Sequence, residues 1–184
     1  MDLISGEDAV RGNKPRKKRF LVLRVITVVI LVGFLPSGAA LIPVQDATTG
    51  DWNKDAFWYE PWGASGVHKG IDIFAPSGQP VVAATGGVVL YSGALRVGGE
   101  VIAVLGPQWR VHYYAHLESR GTAAGSFVRQ GEQIGTVGNS GNAAGKPAHL
   151  HYSVVTALPY PWRVTWDTQG WRRMFYLDPA EQFK

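Results

Sequence analysis

Arg110-Val111-His112-Tyr113-Tyr114-Ala115-His116 alternates along its length, and that alternation decides the fold. In an extended strand successive side chains point to opposite faces, so His112, Tyr114 and His116 share one face and Tyr113 takes the other. Working outward, short runs rich in β-branched and aromatic residues recur between glycine turns. They are Ile71–Phe74, Pro80–Ala84, Gly87–Tyr91, Val101–Leu105, Ser126–Val128, Gln133–Val137 and His149–Val155. Their spacing predicts an all-β domain, mainly an antiparallel sheet or sandwich. Glycine, at 23 of 184 residues, is well above its usual share of about 7% and agrees with a turn-rich chain.

There is no cysteine, which excludes disulfides and thiolate metal sites. Any metal must be held by His, Asp or Glu. The net charge of +4 is concentrated in a tail. Residues 1–24 hold Arg11, Lys14, Arg16, Lys17, Lys18, Arg19 and Arg24 against Asp2, Glu7 and Asp8. The remaining residues balance at eleven basic and eleven acidic, so the domain lacks the basic face a nucleic-acid partner requires.

Positive charge beside an apolar run orients the run with its basic end in the cytoplasm. Here the run is Val25–Leu35, continuing without charge to Val44. Some 20 uncharged residues are enough to span a bilayer as one helix. Alternatively Val25–Leu35 is a signal-peptide core, with Ser37-Gly38-Ala39 or Gly38-Ala39-Ala40 as the cleavage site. Both readings deliver the rest of the chain outside the cytoplasmic membrane. The expected organisation is a basic cytoplasmic tail (1–24), a transmembrane anchor or signal helix (25–44), a linker (45–61) and a domain from 62 to 184. The chain would be a single-pass inner-membrane protein facing the periplasm, or a periplasmic protein if the segment is cleaved.

Four of the five histidines sit at informative spacings. In His68-Lys69-Gly70-Ile71-Asp72, Gly70 permits a sharp backbone path that brings two ligands to one ion. Asp72 enters an apolar strand, where an unpaired carboxylate is costly and a metal removes the cost. Alone, the pattern equally describes a loop histidine followed by a surface aspartate. In His149-Leu150-His151 the two imidazoles point to one face of a strand while Leu150 faces the core. That suits a metal site, or a pair of exposed strand histidines. His116 closes its strand at a position suited to a site, whereas His112 reads as a solvent-facing strand residue.

These motifs together resemble the lysostaphin-type (LytM-like) zinc endopeptidases of peptidoglycan. The resemblance rests on His68-x-Gly70-x-Asp72, Tyr114-Ala115-His116-Leu117 and His149-Leu150-His151, in that order. Connecting text agrees: Asp72 to Val81 with Ala83, and Val128 to Gly141. The match covers about residues 62–156. It implies a zinc metallopeptidase domain over 62–184, one Zn2+ ion held by His68, Asp72 and His151, and proton transfer by His116 and His149. It also implies peptidoglycan cross-links as substrate, with other envelope proteins as further partners. Two neutral imidazoles and one carboxylate leave a coordination position for water, as a catalytic zinc site requires. Relatives often carry Phe-Gly-x-Arg upstream of the first histidine. Here Trp62-Gly63-Ala64-Ser65-Gly66 lacks the arginine, which puts substrate contacts on that rim in doubt.

Two rival classes remain. Some domains of this type have lost their zinc ligands and activate other wall hydrolases; the ligand positions here are unsubstituted. Val128-x-x-Gly131-x-x-Ile134-Gly135 resembles the turn of a biotinyl or lipoyl carrier, but Lys69 and Lys146 lie inside the histidine motifs. The aromatic clusters around Trp52–Trp62 and Trp162–Tyr176 read as packing at the ends of the sheet. The loops at 92–99 and 138–147 are expected to wall a groove for an extended peptide.

Overall fold

The structure, a computed structural model, describes residues 19–24, 27, 30, 33–34 and 38–183. The chain divides into two compact units, Met1–Phe34 and Leu35–Lys184. In the first, residues 19–24 are helical. No helix among the described residues is long and apolar enough to cross a membrane. Much of the expected anchor or signal segment lies outside the described residues.

The second unit is built on one nine-stranded antiparallel sheet, as the alternation predicts. Its strands are β1 (Ile71–Phe74), β2 (Pro80–Val82), β3 (Gly87–Leu95), β4 (Gly99–Leu105) and β5 (Arg110–Arg120). They are followed by β6 (Phe127–Val128), β7 (Gln133–Val137), β8 (His149–Thr156) and β9 (Tyr176–Leu177). The main path runs β1-β8-β5-β4-β3-β6. β7 bridges β5 to β2, and β9 adds to β8. Ile71, Ile73, Val81, Ile102, Tyr114, Leu117, Ile134, Leu150 and Tyr152 are fully buried and form the centre of the core.

β5 runs four residues beyond its expected end at His116, and the reason lies in His116 itself. Arg110 to Ala115 pair with β8, while Leu117 to Arg120 pair with β7. His116 stands between the two ladders with φ 64°, and the register against β4 slips at this point. A bulge of this kind inserts a residue, bends the strand and re-aims a side chain. It also breaks the period-two pattern, which is why alternation alone ends the strand early.

His112 corrects the sequence reading. It is 2% exposed rather than solvent-facing, and its Nδ1 lies 2.6 Å from the Tyr152 hydroxyl. Burial and the nearby Arg110 charge lower its pKa from the ordinary value of 6.5 to about 4. The unfolded chain therefore binds more protons than the folded one between pH 6.5 and 4, and stability falls as pH drops through that window. We expect this group alone to cost about 3 kcal/mol by pH 4. Urea titrations of metal-free protein at pH 7.5 and 4.5 check this, with His112→Gln expected to show the smaller pH dependence.

The segment 45–61, expected as a linker, instead contributes to the core. Within it Trp52 packs edge-on against Phe183 at 5.6 Å between ring centroids and Trp58 is buried, while Val44, expected as the last residue of the anchor, is also buried and bridges Val81. Burial of these large rings outweighs the turn-forming composition around them. At the other end, Asp178 Oδ1 accepts from the Ala180 N–H at 2.9 Å just before a 3-10 turn, Ala180–Gln182.

Candidate metal centre

β1 and β8 lie side by side in a register that sets Asp72 directly opposite His151 and Phe74 opposite His149. Ala115, one residue before the bulge, is opposite His151 on the other side of β8. Because side chains two apart on a strand share a face, His149 and His151 emerge together and Leu150 is driven into the core. His68 arrives from the loop before β1. Its path crosses β8 closely: a Cβ on Gly70 would lie 2.4 Å from the Tyr152 carbonyl oxygen and 2.5 Å from Ser153 Oγ. Gly70 is needed for that approach rather than for an unusual dihedral. Gly70→Ala is therefore expected to destabilise the fold by about 1–3 kcal/mol through forced backbone displacement. Chemical denaturation measures it, and an unchanged midpoint would contradict the close approach.

The three nominated ligands converge. His68 Nε2 is 3.1 Å from Asp72 Oδ1, His151 Nδ1 is 2.8 Å from the same oxygen, and the two nitrogens are 3.1 Å apart. Tetrahedral zinc with bonds of about 2.0–2.1 Å spaces its ligand atoms roughly 3.3 Å apart. Proton bookkeeping also favours a cation. His68 Nδ1 lies 2.9 Å from the Ala56 carbonyl, which fixes the proton there and leaves Nε2 as a bare lone pair. A carboxylate has no proton to give, so the His68–Asp72 contact sets two acceptors against each other. His151 Nδ1 can supply at most one proton, and with Nε2–H donated to Ser153 Oγ at 3.0 Å it supplies none. A divalent ion would satisfy all three lone pairs, and the backbone and hydroxyl partners on the far nitrogens would orient the rings for it.

Burial opposes ionisation of Asp72. His151 and His68 lower its pKa only where they turn a proton toward it, and with their protons on the far nitrogens a bound cation would take over that part. Burial lowers the pKa of His151, so its neutral, metal-binding form is favoured.

His116 and His149 sit beside this cluster but outside it. His116 faces His149 edge-on at 5.1 Å between centroids and His151 at 5.9 Å. His149 Nε2 is 4.0 Å from Asp72 Oδ2. Each of the two donates Nδ1–H to a carbonyl oxygen, His116 to Ser140 at 2.9 Å and His149 to Pro147 at 2.8 Å. That fixes the tautomer in both and leaves Nε2 able to accept a proton. Burial, with the neighbouring His151 and His149, lowers the His116 pKa to about 4.

The glycine-rich loops do something the sequence reading missed. Residues 97–99 and 140–142 pack on each other next to His116. Asn142 N–H donates to the Val97 carbonyl at 3.0 Å, and His116 N–H donates to the Gly98 carbonyl at 2.8 Å. Ser140 Oγ donates to the Leu117 carbonyl at 2.7 Å and accepts from Glu100 N–H at 2.9 Å. Gly99 has φ 66°, and a Cβ there would lie 2.2 Å from Ser140 Oγ, so the clasp has no room for another residue. Trp62 is a second omission. Its ring stacks on His68 at 4.1 Å, 22° from parallel, while remaining partly exposed. Its place six residues before the first ligand was the available signal, obscured by the other aromatics around it.

An all-β domain that brings a His-Asp-His donor set and two further histidines to one face of its sheet has the construction of a hydrolytic metalloprotein domain. Comparison with known proteins makes this particular: the chain belongs to peptidase family M23, whose model matches residues 66–159, and it is homologous to the lysostaphin-type peptidoglycan endopeptidases. It is 33% identical over 158 residues to an L-Ala--D-Glu endopeptidase of Bacillus subtilis, covering 77% of this chain and 48% of that protein. It is 34% identical over 105 residues to the murein hydrolase activator NlpD of Salmonella dublin, covering 56% and 27% respectively. A zinc-containing peptidase from Vibrio cholerae superposes with a TM-score of 0.53 at 25% identity, over 64% of this chain and 36% of that one. The chain thus spans about half or less of these proteins. M23 peptidases are zinc-dependent, and the His68-Asp72-His151 cluster is the group of potential metal ligands found among the described residues.

Proposed function

We propose that this chain is a zinc-dependent endopeptidase that hydrolyses amide bonds in the peptide cross-links of peptidoglycan, acting outside the cytoplasmic membrane. The observation that carries the reading is the convergence of three proton-poor ligand atoms beside two histidines of fixed tautomer. His68 Nε2, Asp72 and His151 Nδ1 would hold the ion. Bound there, zinc would supply Lewis acidity, bringing the pKa of water toward 7 and polarising the scissile carbonyl.

The chain's own histidines manage the protons. As water adds to the carbonyl carbon, Nε2 of one of His116 and His149 takes its proton. When the carbon–nitrogen bond breaks, an imidazolium returns that proton to the leaving amine, and the second water proton passes from the new carboxyl group to the amine, yielding a carboxylate and an ammonium group. The fixed Nδ1–H donors mean that neither ring must change tautomer before it accepts. The depressed pKa of His116 keeps it unprotonated throughout the neutral range.

Likeness to an NlpD activator favours a second reading, a domain that binds the wall and stimulates other hydrolases. Digestion of purified sacculi by the full-length protein separates the two. We expect new amino termini and shortened muropeptides, abolished by chelator and restored by zinc. No chelator-sensitive release from any sacculus type, with zinc stoichiometrically bound, would leave the activator reading in its place.

A further inference from the structure

Between β8 and β9 the chain makes two short 3-10 turns, Pro161–Arg163 and Gly170–Met174. Tyr160 N–H donates to the Met174 carbonyl at 2.8 Å and Thr165 N–H to the Gly170 carbonyl at 3.4 Å, which closes this stretch into a loop. Its tip, Thr168 and Gln169, rests on the segment that delivers the first metal ligand. Gln169, Ser65 and Trp62 all lie outside residues 66–159, the part that matches the family model.

One contact is made with the backbone of that segment. The buried Trp58 donates its indole N–H to the Thr168 carbonyl at 3.2 Å, and the Arg173 guanidinium lies 4.8 Å over its ring. Trp58 N–H in turn donates to the His68 carbonyl at 2.6 Å, and His68 N–H donates to the Tyr59 carbonyl at 3.0 Å. The main chain of His68 is thus held from both sides.

The other contact bears on the ring. Gln169 Nε2–H donates to the Ser65 carbonyl at 2.7 Å, and Arg172 Nη1 donates to Gln169 Oε1 at 3.1 Å, which fixes the end of the carboxamide that faces Ser65. A Cβ on Gly66 would lie 2.7 Å from Gln169 Nε2, so this approach requires a residue without a side chain there. Gln169 itself has φ 56°, a left-handed conformation that a non-glycine residue keeps only where its surroundings impose it.

Ser65 and Gly66 belong to the turn that carries Trp62, because Trp62 N–H donates to the Gly66 carbonyl at 2.9 Å. The Trp62 ring stacks on His68 at 4.1 Å, and Tyr59 meets it edge-on at 6.2 Å. A flat ring laid on an imidazole limits its rotation and keeps water from that face. We propose that Gln169 is a positioning residue for the metal centre: by holding the Ser65 carbonyl it keeps Trp62 stacked on His68, and so keeps His68 Nε2 aimed at the ion. The aim at an ion rests on the proposed zinc function; the stacking does not.

Two measurements on the full-length protein test this. Gln169→Ala removes the donor, and Gln169→Asn keeps a carboxamide and tolerates the left-handed backbone but is one methylene too short to reach Ser65. Each is expected to weaken zinc binding about fivefold in competition with a chelator. In metal-free protein labelled in its histidine rings, solvent exchange of the His68 Nδ1 proton, assigned by its loss in His68→Gln, should quicken by about the same factor. Trp62→Ala should move both readouts in the same direction, and adding Gln169→Ala to it should change them little, because Gln169 acts through Trp62. A lower melting temperature in the Gln169 variants with both readouts unchanged would mark a contact that only stabilises the loop, and would overturn the proposal. Full additivity of Gln169→Ala and Trp62→Ala would overturn it too. Wild-type protein that takes up no zinc would remove the metal function, and exchange at His68 would then decide the positioning role by itself.

Discussion

His68→Ala protein is expected to purify with little or no zinc and to digest sacculi no faster than a metal-free control. His68 is 1% exposed and anchored by its Nδ1–H to the Ala56 carbonyl, so its Nε2 is presented without an entropic cost at the moment of binding. Loss of a ring that merely orients a ligand already costs about 10–100-fold in metal affinity, and loss of a ligand costs more. The fold should survive less well than for a surface change. Trp62 loses the ring it stacks on at 4.1 Å, and the buried space His68 fills is left empty. Zinc analysis after dialysis, alongside a thermal melt, reads both effects. Stoichiometric zinc retained by His68→Ala would remove His68 from the ligand set. His68→Gln refines the result, because a carboxamide fills much of the space without reproducing the imidazole nitrogen.

Much of this centre is legible in the sequence, and the reasons can be traced to particular residues. His149 and His151 lie on a regular stretch of β8, where period two is a dependable guide to which side chains meet. Asp72 is legible because a carboxylate within Ile71–Phe74 needs a partner. What alternation cannot reveal are the places where the chain departs from it. The positive φ of His116 is a property of a non-glycine residue at a bulge, and no local composition marks it. His112 reads as solvent-facing only while the second face of β5 is assumed to be open. The 40–61 segment covers the core instead, and Phe183 stacks on Tyr152 at 5.9 Å. Such long-range cover is decided by parts of the chain far from the strand being read. The tautomers are equally out of reach, since they depend on the carbonyls of Ala56, Ser140 and Pro147.

Those tautomers lead to the sharper prediction, which separates ion binding from proton transfer. His116→Ala and His149→Ala should each retain stoichiometric zinc, because neither ring belongs to the triangle of His68, Asp72 and His151. Each should lose roughly 10²–10⁴-fold in kcat, the range set by a positioned acid–base group. KM should move less, since the lost interaction is with a proton in flight rather than with bound substrate. The two losses should not add: if one histidine takes the proton that the other face of the reaction must return, removing either already breaks the cycle. A double variant close to the worse single variant is therefore expected. Shifting the tautomer without removing the ring is the harder probe. Ser140 holds His116 through its backbone carbonyl, and its hydroxyl spans Leu117 and Glu100. Ser140→Ala cuts the hydroxyl links while leaving the carbonyl in the chain. It should lower kcat by loosening the clasp around His116, with zinc content unchanged. A wild-type kcat in His116→Ala would exclude that ring from the chemistry, and loss of zinc there would place it on the ion instead.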